Sequence, residues 1–159
     1  MSEPADLHVR LEQAEDFSFR LSFPGTPLDA WMTDLSSPTG DDGGPDPEHL
    51  LMAAIGHCLA ASLLFALRKH RNTPSSLVAE VSARPMRNAD GFLRLPQIAV
   101  DLTLPGQSPD YHNLERVLEQ FEQFCTVTQS VRQGVDVQLT VKDGDGRVLR
   151  GDKTFEAGA

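Results

Sequence analysis

Between Leu50 and Leu67 the chain carries no lysine, arginine, aspartate or glutamate, and this uncharged run constrains everything built around it. Its length is close to the ~18–20 residues that can cross a bilayer. Its content points elsewhere. Ala53, Ala54, Ala60, Ala61 and Ala66, with Gly56, His57, Cys58 and Ser62, make it rich in small residues rather than strongly lipophilic. A helix that is apolar on every side is usually buried inside a protein, so the run reads as a central core helix and not as a membrane span. Its start is marked by Asp46 as N-cap, Pro47 at the first helical position and Glu48 in the first turn. Its end near His70 carries Arg68, Lys69, His70 and Arg71, which suit the negative end of the helix dipole.

The segments on either side read mostly as strands. Leu7–Leu11 and Phe17–Phe23 suggest a hairpin around Glu12–Asp16, with Phe17, Phe19, Leu21 and Phe23 on one face. Leu28–Thr33 can add a third strand before the loop from Ser36 to Pro47, which is dense in glycine, proline and aspartate. After the helix, Leu77–Arg84 and Phe92–Leu104 predict strands around an Asn88–Gly91 turn, and Pro96 places the longer one at an edge or a bulge. Pro109–Phe124 predicts a helix, with Leu114, Val117, Leu118 and Phe121 as its apolar stripe against Glu115, Glu119 and Glu122. Val135–Val141 and Arg147–Phe155 then close a last hairpin through Asp143–Gly146. Strands, long helix, strands, helix and strands make an α+β chain with mainly antiparallel sheets, expected as a single domain over residues 1–159.

A formal net charge of −9 argues against nucleic acid, whose phosphates call for an excess of lysine and arginine. The first residues lack a basic segment followed by an apolar one, so no secretory signal is visible and a reducing, cytoplasmic setting is expected. There, two cysteines are more often catalytic or redox-sensing than structural. Cys58 and Cys125 are the two, and they share no CxxC motif. Cys58 lies too deep in its helix to feel the N-terminal dipole, and apolar surroundings alone would raise its pKa, so a reactive Cys58 needs a cation from elsewhere, an arginine being the best choice. Cys125 precedes Thr126 and Gln129, which fit a capping box and would set its sulfur at a helix start with some thiolate character. Packing alone, or a structural disulfide, are the competing readings of the same residues. No metal or cofactor is expected. His49 and His57 would stand about 12 Å apart along the helix, and His57 points about 100° around it from Cys58.

Two segments resemble a known family. Pro47-Glu48-His49-Leu50-Leu51-Met52-Ala53-Ala54-Ile55-Gly56-His57-Cys58 resembles the first-cysteine helix of the OsmC/Ohr superfamily (osmotically inducible protein C and organic hydroperoxide resistance proteins). Cys125-Thr126-Val127-Thr128-Gln129-Ser130-Val131 resembles its second-cysteine motif, with Thr126 in place of the usual proline and Thr128 near the usual serine. These departures place the chain with the broader OsmC-like group. The resemblance implies an OsmC-like fold in an intertwined homodimer, and a thiol-dependent peroxidase acting on organic hydroperoxides under oxidative stress. By position, Cys58 would be the peroxidatic cysteine, Cys125 the resolving one and Glu48 the family glutamate. The arginine that holds the thiolate would be Arg20, with Arg10 as runner-up. A dithiol reductant, lipoyl-type or another thiol, would recycle the disulfide. A stress-associated binding protein without peroxidase activity is the alternative. Helix geometry adds a constraint of its own: Glu48 and Cys58 would lie about 15 Å apart and some 80° off-face. Glu48 could then reach a thiol site only from a partner subunit or through a break in the helix.

Overall fold

The computed structural model describes residues 5–151. The chain forms two compact units that divide between Leu51 and Met52, within the first turns of the long helix.

The N-terminal unit is built on an antiparallel meander, β1 (Arg10–Glu15), β2 (Ser18–Ser22) and β3 (Trp31–Thr33). The expected hairpin is present, but its turn is tighter than the sequence suggests. Residues Glu12–Glu15 belong to β1, and Asp16, at φ +42°, and Phe17 make the reversal. An aspartate tolerates the left-handed region better than most residues. The breaker-rich loop that follows is organised around Asp34. Its buried carboxylate accepts the backbone N–H groups of Leu35 at 2.8 Å and of Asp41 and Gly43 at 3.1 Å. The bond from Gly43 leads in holding this carboxyl below its usual range.

Helix α1 spans Pro47–Lys69 without interruption. Asp46 caps it as expected, its Oδ1 accepting the backbone N–H of His49 at 2.8 Å, and this bond is the main reason its carboxyl is held below the usual range. By length and composition α1 could cross a membrane. Ile55, Leu59, Leu63 and Leu67 are fully buried. The burial is one-sided, however: Ala53, Ala54, His57, Ala61 and Phe65 stand exposed, so the described residues do not give the all-round covering expected of a core helix. Gly56 meets strand β4 (Val78–Ala83) so closely that a Cβ there would lie 2.5 Å from Val81 Cγ2.

The second unit is built on a four-stranded sheet in the order β4 (Val78–Ala83), β7 (Gln97–Thr103), β8 (Asp136–Lys142) and β9 (Val148–Gly151). A small ribbon, β5 (Met86–Arg87) and β6 (Leu93–Arg94), flanks the Asn88–Gly91 turn. Alternation sends Ile98, Val100 and Leu102 of β7 and Val137, Leu139 and Val141 of β8 into the core. Three expectations change here. The Phe92–Leu104 strand is two strands, split at Leu95–Pro96. Its longer part, β7, is central and not at an edge, because Pro96 stands just outside the ladder, where its missing N–H is not needed while its carbonyl accepts from Asp136 N–H at 3.1 Å. Finally, β7 and β8 run parallel, from Gln97 opposite Asp136 to Thr103 opposite Lys142, in a sheet whose other pairings are antiparallel. The expected end of the last hairpin, residues 152–155, lies outside the described residues.

A parallel pair needs a long crossover, and residues 104–135 supply it. The expected Pro109–Phe124 helix is broken there into a 3-10 turn at Ser108–Asp110, helix α2 (Leu114–Gln120) and a second 3-10 turn at Phe121–Phe124. Proline can begin a helical turn but this one closes after three residues, and Asn113, at φ +53°, restarts the chain. The apolar stripe is as read, with Val117, Leu118 and Phe121 buried. Asn72, just past α1, fastens the crossover. Its side chain donates to the His112 carbonyl at 2.9 Å and accepts the His112 N–H at 2.7 Å.

Candidate functional site

Helix α3 (Thr126–Val131) follows the second 3-10 turn, and Cys125 is its N-cap residue. Cys58, on α1, lies close enough to Cys125 for its sulfhydryl to act on that thiol. The two thiols are free, Cys58 half-buried and Cys125 fully buried. The Cys125 sulfhydryl donates to Thr128 Oγ1 at 3.0 Å. Burial pushes the Cys125 thiol up, the neighbouring Cys58 sulfhydryl adds to this, and the Thr128 hydroxyl and backbone N–H oppose it. The expectation of thiolate character at a helix start is therefore corrected. The expected capping box of Thr126 and Gln129 is also absent, since Thr126 is already the first helical residue and Gln129 turns back to donate to the Glu122 carbonyl at 3.1 Å. A helix of under two turns gives too small a dipole to offset the loss of solvent around the sulfur.

Cys58 and Cys125 are thus brought together within the second unit. Arg20 lies in the N-terminal unit, exposed on β2 across the ladder from Glu12, and makes no ion pair among the described residues. Arg10, the runner-up, is engaged with Glu12 at 2.8 Å, both side chains being exposed. Such a pair holds the arginine only weakly. Glu48 is exposed in the first turn of α1. Because α1 is continuous, the helix-break route from Glu48 to Cys58 is closed, and the separation along the axis stays at about 15 Å. Among the described residues no three histidine, cysteine or acidic side chains converge in a metal-binding arrangement.

Glu122, expected on the acidic face opposite the apolar stripe, supports the Cys125 turn. Glu122 lies between Arg132 at 2.7 Å and Arg150 at 2.5 Å, with only 12% of its side chain exposed. Its backbone carbonyl accepts the N–H of Cys125 at 3.0 Å. Arg150 also donates to the Leu118 carbonyl and lies 5.9 Å from the Phe121 ring centroid. The three charged residues line an open cleft of about 420 Å³ that neither cysteine enters. Glu122→Gln keeps the shape but leaves two guanidinium groups without a counter-charge. The expected loss is about 1–3 kcal/mol, read as a lower urea midpoint with an unchanged slope. An unchanged midpoint would show that the clamp contributes nothing to stability.

Set against known proteins, residues 40–140 match the family model described as OsmC-like protein. Over 122 residues the chain is 25% identical to "Organic hydroperoxide resistance protein-like 2" of Staphylococcus epidermidis, covering 73% of this chain and 83% of that one. Two solved structures share the fold at a TM-score of 0.70. The OsmC-like protein of Mycoplasma pneumoniae is 14% identical, over 87% of this chain and 97% of its own. An organic hydroperoxide resistance protein of Elizabethkingia anophelis is 15% identical, over 91% and 100%. With the α+β architecture, the long helix and a family match over most of the chain, this protein belongs to the OsmC-like family.

Proposed function

We propose that the protein is a thiol-dependent peroxidase that reduces organic hydroperoxides with its two cysteines. The observation that carries this reading is the meeting of two free thiols, half-buried Cys58 and buried Cys125, from segments far apart in sequence. The Cys58 thiolate attacks the distal oxygen of the hydroperoxide. The O–O bond breaks, the alkoxide leaves and takes up a proton to become the alcohol, and Cys58 is left as a sulfenic acid. The Cys125 thiolate then attacks the Cys58 sulfur. An S–S bond forms, the S–O bond breaks, and hydroxide leaves as water after protonation. A dithiol reductant of lipoyl type, or another thiol, returns both cysteines to thiols and is itself oxidised to a disulfide. Apolar surroundings of Cys58 favour alkyl or lipid hydroperoxides over hydrogen peroxide.

The reading includes a homodimer in a cytoplasmic setting. Support comes from apolar groups that a single chain leaves uncovered, among them Leu11, Phe17 and Trp31 in the N-terminal unit and Phe65 on α1. A partner subunit would also be the remaining source of Glu48 for the thiol site. Arg20 is the proposed thiolate-holding cation. Stopped-flow mixing with an alkyl hydroperoxide should consume the protein thiols rapidly. Arg20→Ala should slow this thiol consumption at neutral pH, and a rate equal to that of wild type would exclude Arg20 as the thiolate-holding cation. Wild-type protein that keeps both thiols under excess hydroperoxide would instead favour a binding protein whose cysteines only pack, a reading compatible with the burial that raises Cys125.

A further inference from the structure

Thr128 is fully buried on α3, and its side-chain oxygen has the Cys125 sulfur as its hydrogen-bond partner. A buried hydroxyl is costly unless it is bonded, and valine would fill the same volume without that requirement. A hydroxyl at this place does something valine cannot. It accepts a hydrogen bond in one state and donates one in the other, simply by rotating about its C–O bond. While Cys125 is a thiol, its S–H donates to Thr128 Oγ1. Once Cys125 is deprotonated, the Thr128 O–H can turn and donate to the sulfur. The Thr128 backbone N–H favours the thiolate too, and Cys58, from α1, is the titratable group that acts against it. No carboxylate or guanidinium among the described residues acts on this sulfur.

We propose that Thr128 is a positioning residue for disulfide closure, its hydroxyl orienting the Cys125 sulfur and stabilising it as the thiolate that attacks Cys58. The inference rests on the two-cysteine reading above but is tested without a hydroperoxide. Cys58 is capped as a mixed disulfide with thionitrobenzoate in the full-length protein. The Cys125 thiolate attacks the Cys58 sulfur, the protein S–S bond forms, and the bond to the cap breaks with release of the coloured thiolate. Closure is followed across neutral and mildly alkaline pH in wild type, Thr128→Val and Thr128→Ser. The valine variant is expected to close about tenfold more slowly at neutral pH, with its pH midpoint raised by about one unit. The serine variant, which restores the hydroxyl, should close within about twofold of wild type. A valine variant as fast as wild type, a serine variant as slow as valine, or a wild-type chain that releases no thiolate would overturn the proposal. Failure of the peroxidase reading shows separately, as retention of both thiols under hydroperoxide alone.

Discussion

Cys58→Ser is expected to abolish hydroperoxide reduction, lowering turnover by roughly a thousandfold or more, as loss of a nucleophile does. Serine occupies nearly the same space on α1 and disturbs no core contact of the size that Leu59 or Leu63 makes. Its hydroxyl remains protonated at neutral pH, so it cannot attack the O–O bond. Cys125→Ser should behave differently. Cys58 would still be oxidised once, and its sulfenic acid, with no resolving sulfur nearby, would be open to trapping by a dimedone-type reagent and to further oxidation. The pair of variants therefore separates the two roles: Cys58→Ser yields no adduct, and Cys125→Ser yields an adduct in a single turnover. Equal adduct formation in the two variants would contradict unequal roles for the thiols. Turnover by Cys58→Ser at the wild-type rate would exclude it as the nucleophile.

Phe121→Ala is expected to be the most damaging single change to stability near the site. The ring is fully buried, and it begins the 3-10 turn that leads into Cys125. Removing it takes away the transfer energy of a large aromatic group and leaves a cavity, a loss of about 3–5 kcal/mol. At roughly 2–4 °C per kcal/mol for a chain of this size, the melting temperature should fall by on the order of 10 °C. The Arg150 guanidinium would lose its aromatic neighbour as well. Phe121→Leu retains most of the apolar volume and should cost well under half as much. Calorimetry of the two variants checks this, and a loss below about 1 kcal/mol for alanine would mean that the turn collapses to fill the space.

How much of this was legible in the sequence depended on whether the signal was local. Asp46, Pro47 and the basic residues after Leu67 marked both ends of α1 to within a residue, because caps and dipole charges act inside one segment. The apolar stripe Val117, Leu118 and Phe121 was readable for the same reason. Which strands pair was not readable. Alternation in Gln97–Thr103 and Asp136–Lys142 reveals which side chains face inward, and says nothing of whether the neighbour runs parallel. The helix read through Pro109 failed where Asn113 takes a left-handed conformation, a choice made by tertiary packing. At the candidate site, the sequence singled out both cysteines, but the environment of Cys125 depends on what the crossover buries. Burial outweighed the helix-start effect. Thr128, three residues from Cys125 on the same helical face, carried a signal that could have been found. Glu122 carried none, since Arg132 and Arg150 reach it only after the chain has folded.

The parallel pairing of β7 with β8 bears on how the protein is made. Strands joined only through residues 104–135 cannot zip up from a turn, as a hairpin does, so their ladder must wait for a long loop to close. Cys125 sits on that loop. The nascent chain is therefore expected to gather its two sulfurs late, when the centre of the sheet is in place, and a partly folded chain would hold Cys58 without its counterpart. The topology thus ties the meeting of the thiols to completion of the sheet: on the two-cysteine proposal, oxidation of a half-formed chain would leave Cys58 modified and alone, whereas oxidation of the finished one would give a reversible disulfide.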